Sequence, residues 1–159
     1  MQGLIIMSTK SGHFCDLKEL MDALDSDIAN YSWMLSGYDC FSERAYEKIP
    51  PFEDFVWFDG KELARVLNGY QPYFIFCVAT GYPKNIVLEE VLRHPLPFAD
   101  GYTEFWKTEV TMQNPLSEME IVLWDSSLFL VISKSREVIG KFKKTYPNSI
   151  DLAEYNRRS

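Results

Sequence analysis

Two apolar runs, Met119–Trp124 and Leu128–Ser133, stand only three residues apart, and nothing else in the chain restricts its fold as tightly. Each reads as one strand. The residues between them, Asp125-Ser126-Ser127, are turn formers, and Asp125 can hold the reversal by an Asx-type bond to the backbone. A hairpin is therefore predicted. A lone hairpin is at best marginally stable in water, so other elements have to flank and cover it.

The remaining periodicities mix strand and helix. Leu4–Met7 reads as a short opening strand. Asp16-Leu17-Lys18-Glu19 has the Asp-x-x-Glu form of a capping box, and Leu17, Leu20, Met21 and Leu24 then recur at helical spacing. Asn30–Ser36 alternates, with Tyr31, Trp33 and Leu35 on one side, which predicts a half-buried strand. A second Asp-x-x-Glu, Asp59-Gly60-Lys61-Glu62, opens a helix with Leu63, Val66 and Leu67 inward. Gly69 is placed to end it as a left-handed cap. Tyr73–Ala79 is apolar on both faces, as a central strand covered on both sides would be, and Thr80-Gly81-Tyr82-Pro83 reads as a turn. Ser135 can cap a final helix with Val138, Ile139 and Phe142 inward, stopped by Pro147. Residues 86–112 show no clear period, and residues 154–159 read as a short tail.

Strands and helices do not alternate regularly enough for a doubly wound fold. The predicted architecture is one α+β domain over residues 1–159, its sheet mostly antiparallel with helices packed against it. The 73–79, 119–124 and 128–133 strands should share that sheet, under the helix that starts near Asp16. A chain of 159 residues can build one real core and is short for two. The run Gly3–Met7 is too short for a secretory leader, and no apolar run reaches the length of a membrane span. Cys15, Cys40 and Cys77 lack paired spacings, so reduced thiols in a cytoplasmic protein are expected.

Charge is distributed unevenly. Between Asp16 and Glu62 twelve acids face four bases, a net of −8, whereas the rest of the chain sits at +1. Such asymmetry steers association with a basic partner and disfavours nucleic acid. The segment Tyr46–Asp59 threads Tyr46, Phe52, Phe55, Trp57 and Phe58 among Glu47, Glu53, Asp54 and Asp59. Aromatic rings supply contact energy at low entropic cost, and carboxylates orient a cationic partner. Glu43, Glu47, Glu53, Asp54, Trp57, Phe58 and Asp59 are therefore the candidate partner-binding residues. The alternation in Phe55-Val56-Trp57-Phe58 equally suits a short buried strand.

Catalytic patterns are lacking. His13 lies two residues from Cys15, but no third group orients such a pair, and His94 sits in a Pro-rich loop. No metal-ligand spacing, calcium-loop pattern or glycine-rich phosphate cradle occurs, so neither a metal nor another cofactor is expected.

The block Glu118–Ser127, followed by Leu128–Lys134 and the Ser135–Tyr146 helix, resembles the C-terminal half of small bacterial α+β proteins. These are uncharacterised domain families, some of which are similar to immunity proteins of polymorphic and contact-dependent toxin systems. The resemblance implies a cytoplasmic, non-enzymatic inhibitor that caps a cognate toxin. Residues and resemblance together lead to an acidic binding protein for a basic protein partner, such as a nuclease toxin, with no role for nucleic acid or membrane. The alternatives are a small metal-assisted hydrolase or transferase with a carboxylate site, a nucleic-acid mimic acting on a DNA-binding protein, and a structural subunit of undefined oligomeric state.

Overall fold

The computed structural model describes all residues, 1–159. Seven strands form one sheet in which every neighbouring pair is antiparallel. They are β1 (Gln2–Ile6), β2 (Tyr31–Ser36), β3 (Phe55–Asp59), β4 (Cys77–Pro83), β5 (Met119–Trp124), β6 (Leu128–Ser133) and β7 (Ile150–Asp151). Their spatial order is β3-β2-β4-β5-β6-β1-β7. The helices are α1 (Leu17–Met21), α2 (Gly60–Tyr70), α3 (Leu88–Val91), α4 (Arg136–Thr145) and α5 (Leu152–Arg158). The predicted α+β domain with an antiparallel sheet is the architecture observed.

The β5–β6 hairpin forms as expected, pairing Trp124 with Leu128, but not through an Asp125 side-chain bond: Asp125 and Ser126 both take positive φ of 54°, and Ser127 Oγ donates to the Trp124 carbonyl at 3.1 Å. Strand alternation then divides the core. Leu4, Ile6, Trp33, Leu35, Cys77, Ala79, Ile121, Leu123, Phe129 and Val131 face α1, α2 and α4 in the larger cluster. Ile5, Val78, Val122, Leu130 and Ile132 face the opposite way, under α5 and the irregular chain around Phe105. Both faces are thus covered, and each buried Leu, Ile or Phe contributes about 1.5–3 kcal/mol.

Caps set the helix starts. Asp16 accepts the Lys18 N–H at 3.0 Å, and Ser135 accepts the Val138 N–H at 3.2 Å, both as expected. After α1 the chain tightens into 3-10 turns over Asp22–Asn30, kinked at Asp25 with φ 52° and ψ −132°. Trp33 Nε1 donates to the Ile28 carbonyl at 2.9 Å and ties that stretch to the sheet. Gly60 begins α2 because a Cβ there would lie 2.1 Å from the Ile28 oxygen.

Four expectations are corrected. β2 is not half-buried: Trp33, Met34, Leu35 and Ser36 are all inside, since both faces of the sheet are covered. The central strand begins at Cys77 and runs on through Thr80-Gly81-Tyr82, so that segment is strand rather than turn. Tyr73 and Phe74 make only isolated bridges, to Asp16 and Cys40. Gly69 is helical, and Gln71 instead takes the left-handed position after α2, with φ 43°. Residues 154–159 are no tail: most belong to α5, where Asn156 Nδ2 donates to the carbonyls of Phe105 and Lys107. No helix is long and apolar enough to cross a membrane.

Candidate functional site: an acidic and aromatic end of the sheet

Chain reversals gather one group of side chains at the end of the sheet where β2 leaves and the approach to β4 begins. Gly37 takes φ +53°, and a Cβ on it would lie 2.7 Å from the Phe98 Cα, so only glycine allows this turn beneath the 97–98 chain. Residues 39–41 then run antiparallel to 73–76. The Phe41 N–H donates to Tyr73 O at 3.0 Å, the Ile75 N–H to Asp39 O at 3.1 Å, and the Asp39 N–H to Phe76 O at 2.9 Å. Along this extension Cys40 and Phe74 point into the core, while Asp39, Phe41, Tyr73 and Ile75 point out. Phe41 and Tyr73 stack with centroids 6.1 Å apart.

The next segment adds acids. A short 3-10 turn, Glu43–Ala45, is held beside the end of α2: Arg44 donates to the Tyr70 carbonyl and to Gln71 Oε1, each at 2.8 Å. The Tyr70 hydroxyl donates weakly to Glu47 at 3.4 Å. Tyr38 donates to the Pro50 carbonyl at 2.6 Å, which fixes the turn from which Phe52 projects, 98% exposed. Glu53 and Asp54 follow, both exposed, at the start of β3. None of Asp39, Glu43, Glu47, Glu53 and Asp54 forms a salt bridge. The exposed apolar side chains Phe41, Phe52, Tyr73 and Ile75 therefore share this end with five carboxylates that form no salt bridge.

The seven candidate residues from the sequence do not stay together. Glu43, Glu47, Glu53 and Asp54 lie at this end. Phe58 is 5% exposed and belongs to the main core, because β3 alternates and Phe58 takes the helix-facing side. Trp57 is half-buried on the other side against Tyr82, with centroids 5.6 Å apart. Asp59 is at the far end of β3 and pairs with Lys84, which holds its carboxyl below the usual range. Asp39, Phe41, Phe52, Tyr73 and Ile75 were absent from the seven, Phe52 although it lies among the aromatics of the 46–59 segment. Asp39 and Phe41 lie outside the 46–59 segment, and Tyr73 and Ile75 sit inside a run whose two-sided apolarity concealed that two of its residues face out.

One carboxylate elsewhere is sealed inside the protein. Glu120 is fully buried on the face covered by residues 84–118. Gln113 donates to it from both its backbone N–H and its side-chain amide, and Gln113 also exchanges hydrogen bonds with Phe98 N and O. Burial pushes the Glu120 carboxyl up to about 7 against those donated bonds. Thr80 Oγ1 and the Tyr82 hydroxyl are also buried, without hydrogen-bond partners. No three His, Cys, Asp or Glu side chains come together in a way that could hold a metal ion. The three cysteines are free thiols, and burial together with the Asp16 charge pushes the Cys15 thiol up, opposite to what a thiolate nucleophile needs.

A cleft of about 660 Å³ opens between the 3-10 turns and α2, lined by Lys18, Asp22, Asp25, Lys61, Arg65 and Asn68 among others. Its charges are of both signs, and none of Phe41, Phe52, Tyr73 and Ile75 lines it.

Comparison of the chain with family models, with curated proteins and with solved structures gives no match.

Proposed function

We propose that this chain is an acidic protein-binding module whose interface is the end of the sheet bearing Phe41, Phe52, Tyr73 and Ile75 among Asp39, Glu43, Glu47, Glu53 and Asp54. The observation that supports this reading is the coincidence of exposed apolar side chains with carboxylates that no internal base neutralises. Exposed aromatic rings that fill partner pockets carry much of the energy of protein interfaces. Unpaired carboxylates around them steer a basic partner and set the register of docking. An inhibitor of a basic toxin, such as a nuclease, is the partner relationship this chemistry suits best. The carboxylates would occupy positions that substrate phosphates take in a cationic cleft, and the rings would fill adjacent apolar or base pockets. A nucleic-acid mimic would use the same surface on another basic protein.

The test is affinity capture from cells that make the protein, with the wild-type chain and the Glu53→Lys/Asp54→Lys variant as baits. Basic proteins retained by the wild type, released by added salt and absent from the variant are the expected result. An identical set of captured proteins on two equally folded baits would place the interface elsewhere.

A further inference from the structure

One side of β3 is open. The strand pairs with β2 from Ser36↔Phe55 to Ser32↔Asp59 and with no other strand, and beyond that pairing only Asp59 is engaged, as the N-cap of α2. The opposite edge of the sheet is the two-residue β7, too short to offer a comparable row of groups. Phe55, Val56 and Trp57 are half-buried, whereas their β2 partners Ser36, Leu35 and Met34 are fully buried. A missing neighbour accounts for that difference, because a strand beside β3 would cover Phe55 and Trp57 on one face and Val56 on the other.

Usual protections of an edge are missing within the strand itself: Phe55–Asp59 contains no proline and no lysine. Acids stand at both ends instead. Glu53 and Asp54 precede the strand unpaired, and Asp59 ends it beside Lys84. Two such edges brought together would bring like charges together, in a chain of net charge −7. An edge of this character disfavours its own copy and favours a cationic strand.

We infer that the free edge of β3 receives an extended basic segment of a protein partner as an eighth strand, its main chain bonding to Phe55–Asp59 and its cationic side chains reaching Glu53 and Asp54. This rests on the acidic-interface reading above and specifies how the partner is held. Main-chain bonds to an open edge supply affinity without sequence demands, and side chains at alternate positions supply selectivity. Charge-assisted bonds from lysine or arginine to carboxylates add to both.

The probe is an eight-residue peptide of alternating lysine and valine, titrated into the isotope-labelled chain by amide NMR at low salt. Two further peptides carry N-methyl groups on one or the other set of alternate backbone amides, since only one set can face β3. The expected result is shifts and slowed exchange at residues 55–59. One methylated peptide should bind at least tenfold more weakly and the other like the parent, and Glu53→Lys/Asp54→Lys should weaken the parent severalfold. Equal binding of all three peptides, still weakened by the charge reversal, overturns strand addition and leaves the acidic interface standing. Binding indifferent to the charge reversal overturns both readings. Lack of binding by the parent overturns strand addition, and the capture experiment then decides the interface alone. Protection at 55–59 without peptide, with mass doubling as concentration rises, makes a second copy the occupant and also overturns the proposal.

Discussion

At Glu120 one carboxyl group couples pH to stability. Its folded value of about 7 lies above the usual 4.5. A group raised on folding stabilises fully below its unfolded value and loses that contribution as pH rises through its folded value. The loss therefore falls between about pH 4.5 and pH 7. At 1.36 kcal/mol per unit it amounts to about 3 kcal/mol. Glu120→Gln keeps the shape and removes the titration. Thermal melts across that window should show wild-type stability falling toward neutral pH relative to the variant, and parallel curves would refute the assignment. The β3 aromatics give a second residue-scale expectation. Phe58→Ala should cost about 3–5 kcal/mol as a core deletion. Trp57→Ala, from a half-buried site, should cost about 2 kcal/mol, and Phe52→Ala should leave denaturant midpoints within about 0.5 kcal/mol of wild type.

Among the elements, α2 provides the sharpest check on backbone geometry. Gly69 lies inside the helix, and a Cβ there would meet nothing within 4 Å. Gly69→Ala should therefore raise stability by about 0.5–1 kcal/mol, measured by chemical denaturation. A destabilised variant would mean that Gly69 has the left-handed geometry the sequence suggested. The error there was physical: glycine is the usual residue after a helix, but here Gln71 accepts that strain while its side chain is held by Arg44. The hairpin and the caps at Asp16 and Ser135 were legible because each depends on residues a few positions apart. The exact span of β4 was not, since partners decide it: Tyr73 and Ile75 face out along the 39–41 extension, and Thr80–Pro83 is held by β2. The chain over 86–112 has no period to read because it covers a sheet face largely as irregular structure and is held by bonds such as Ser36 Oγ to Pro97 O at 2.8 Å.

For the whole molecule, covering both faces of one sheet leaves its ends and its β3 edge open, and apolar side chains reach solvent there as well as at Val87 and Leu92 beside α3. The acidic half of the sequence supplies one such end. Glu43, Glu47, Glu53 and Asp54 were recognisable from charge pattern alone, but their neighbours Phe41, Tyr73 and Ile75 come together only through the pairing of 39–41 with 73–76. Asp59, at the far end of β3, was misplaced because linear proximity cannot tell one end of a strand from the other.

A basic protein is the partner proposed for this end of the sheet. The most direct test is the association and dissociation rates of the captured partner with three folded forms: wild type, Glu53→Lys/Asp54→Lys and Phe41→Ala/Phe52→Ala. Each is measured at two salt concentrations. The charge reversal should slow association about tenfold and flatten its salt dependence, because rim charges act through encounter. The aromatic deletion should leave association nearly unchanged and speed dissociation by about 30-fold or more, the scale of a hot-spot ring. Rates unchanged in both variants, with melting temperatures equal to wild type, would contradict the account.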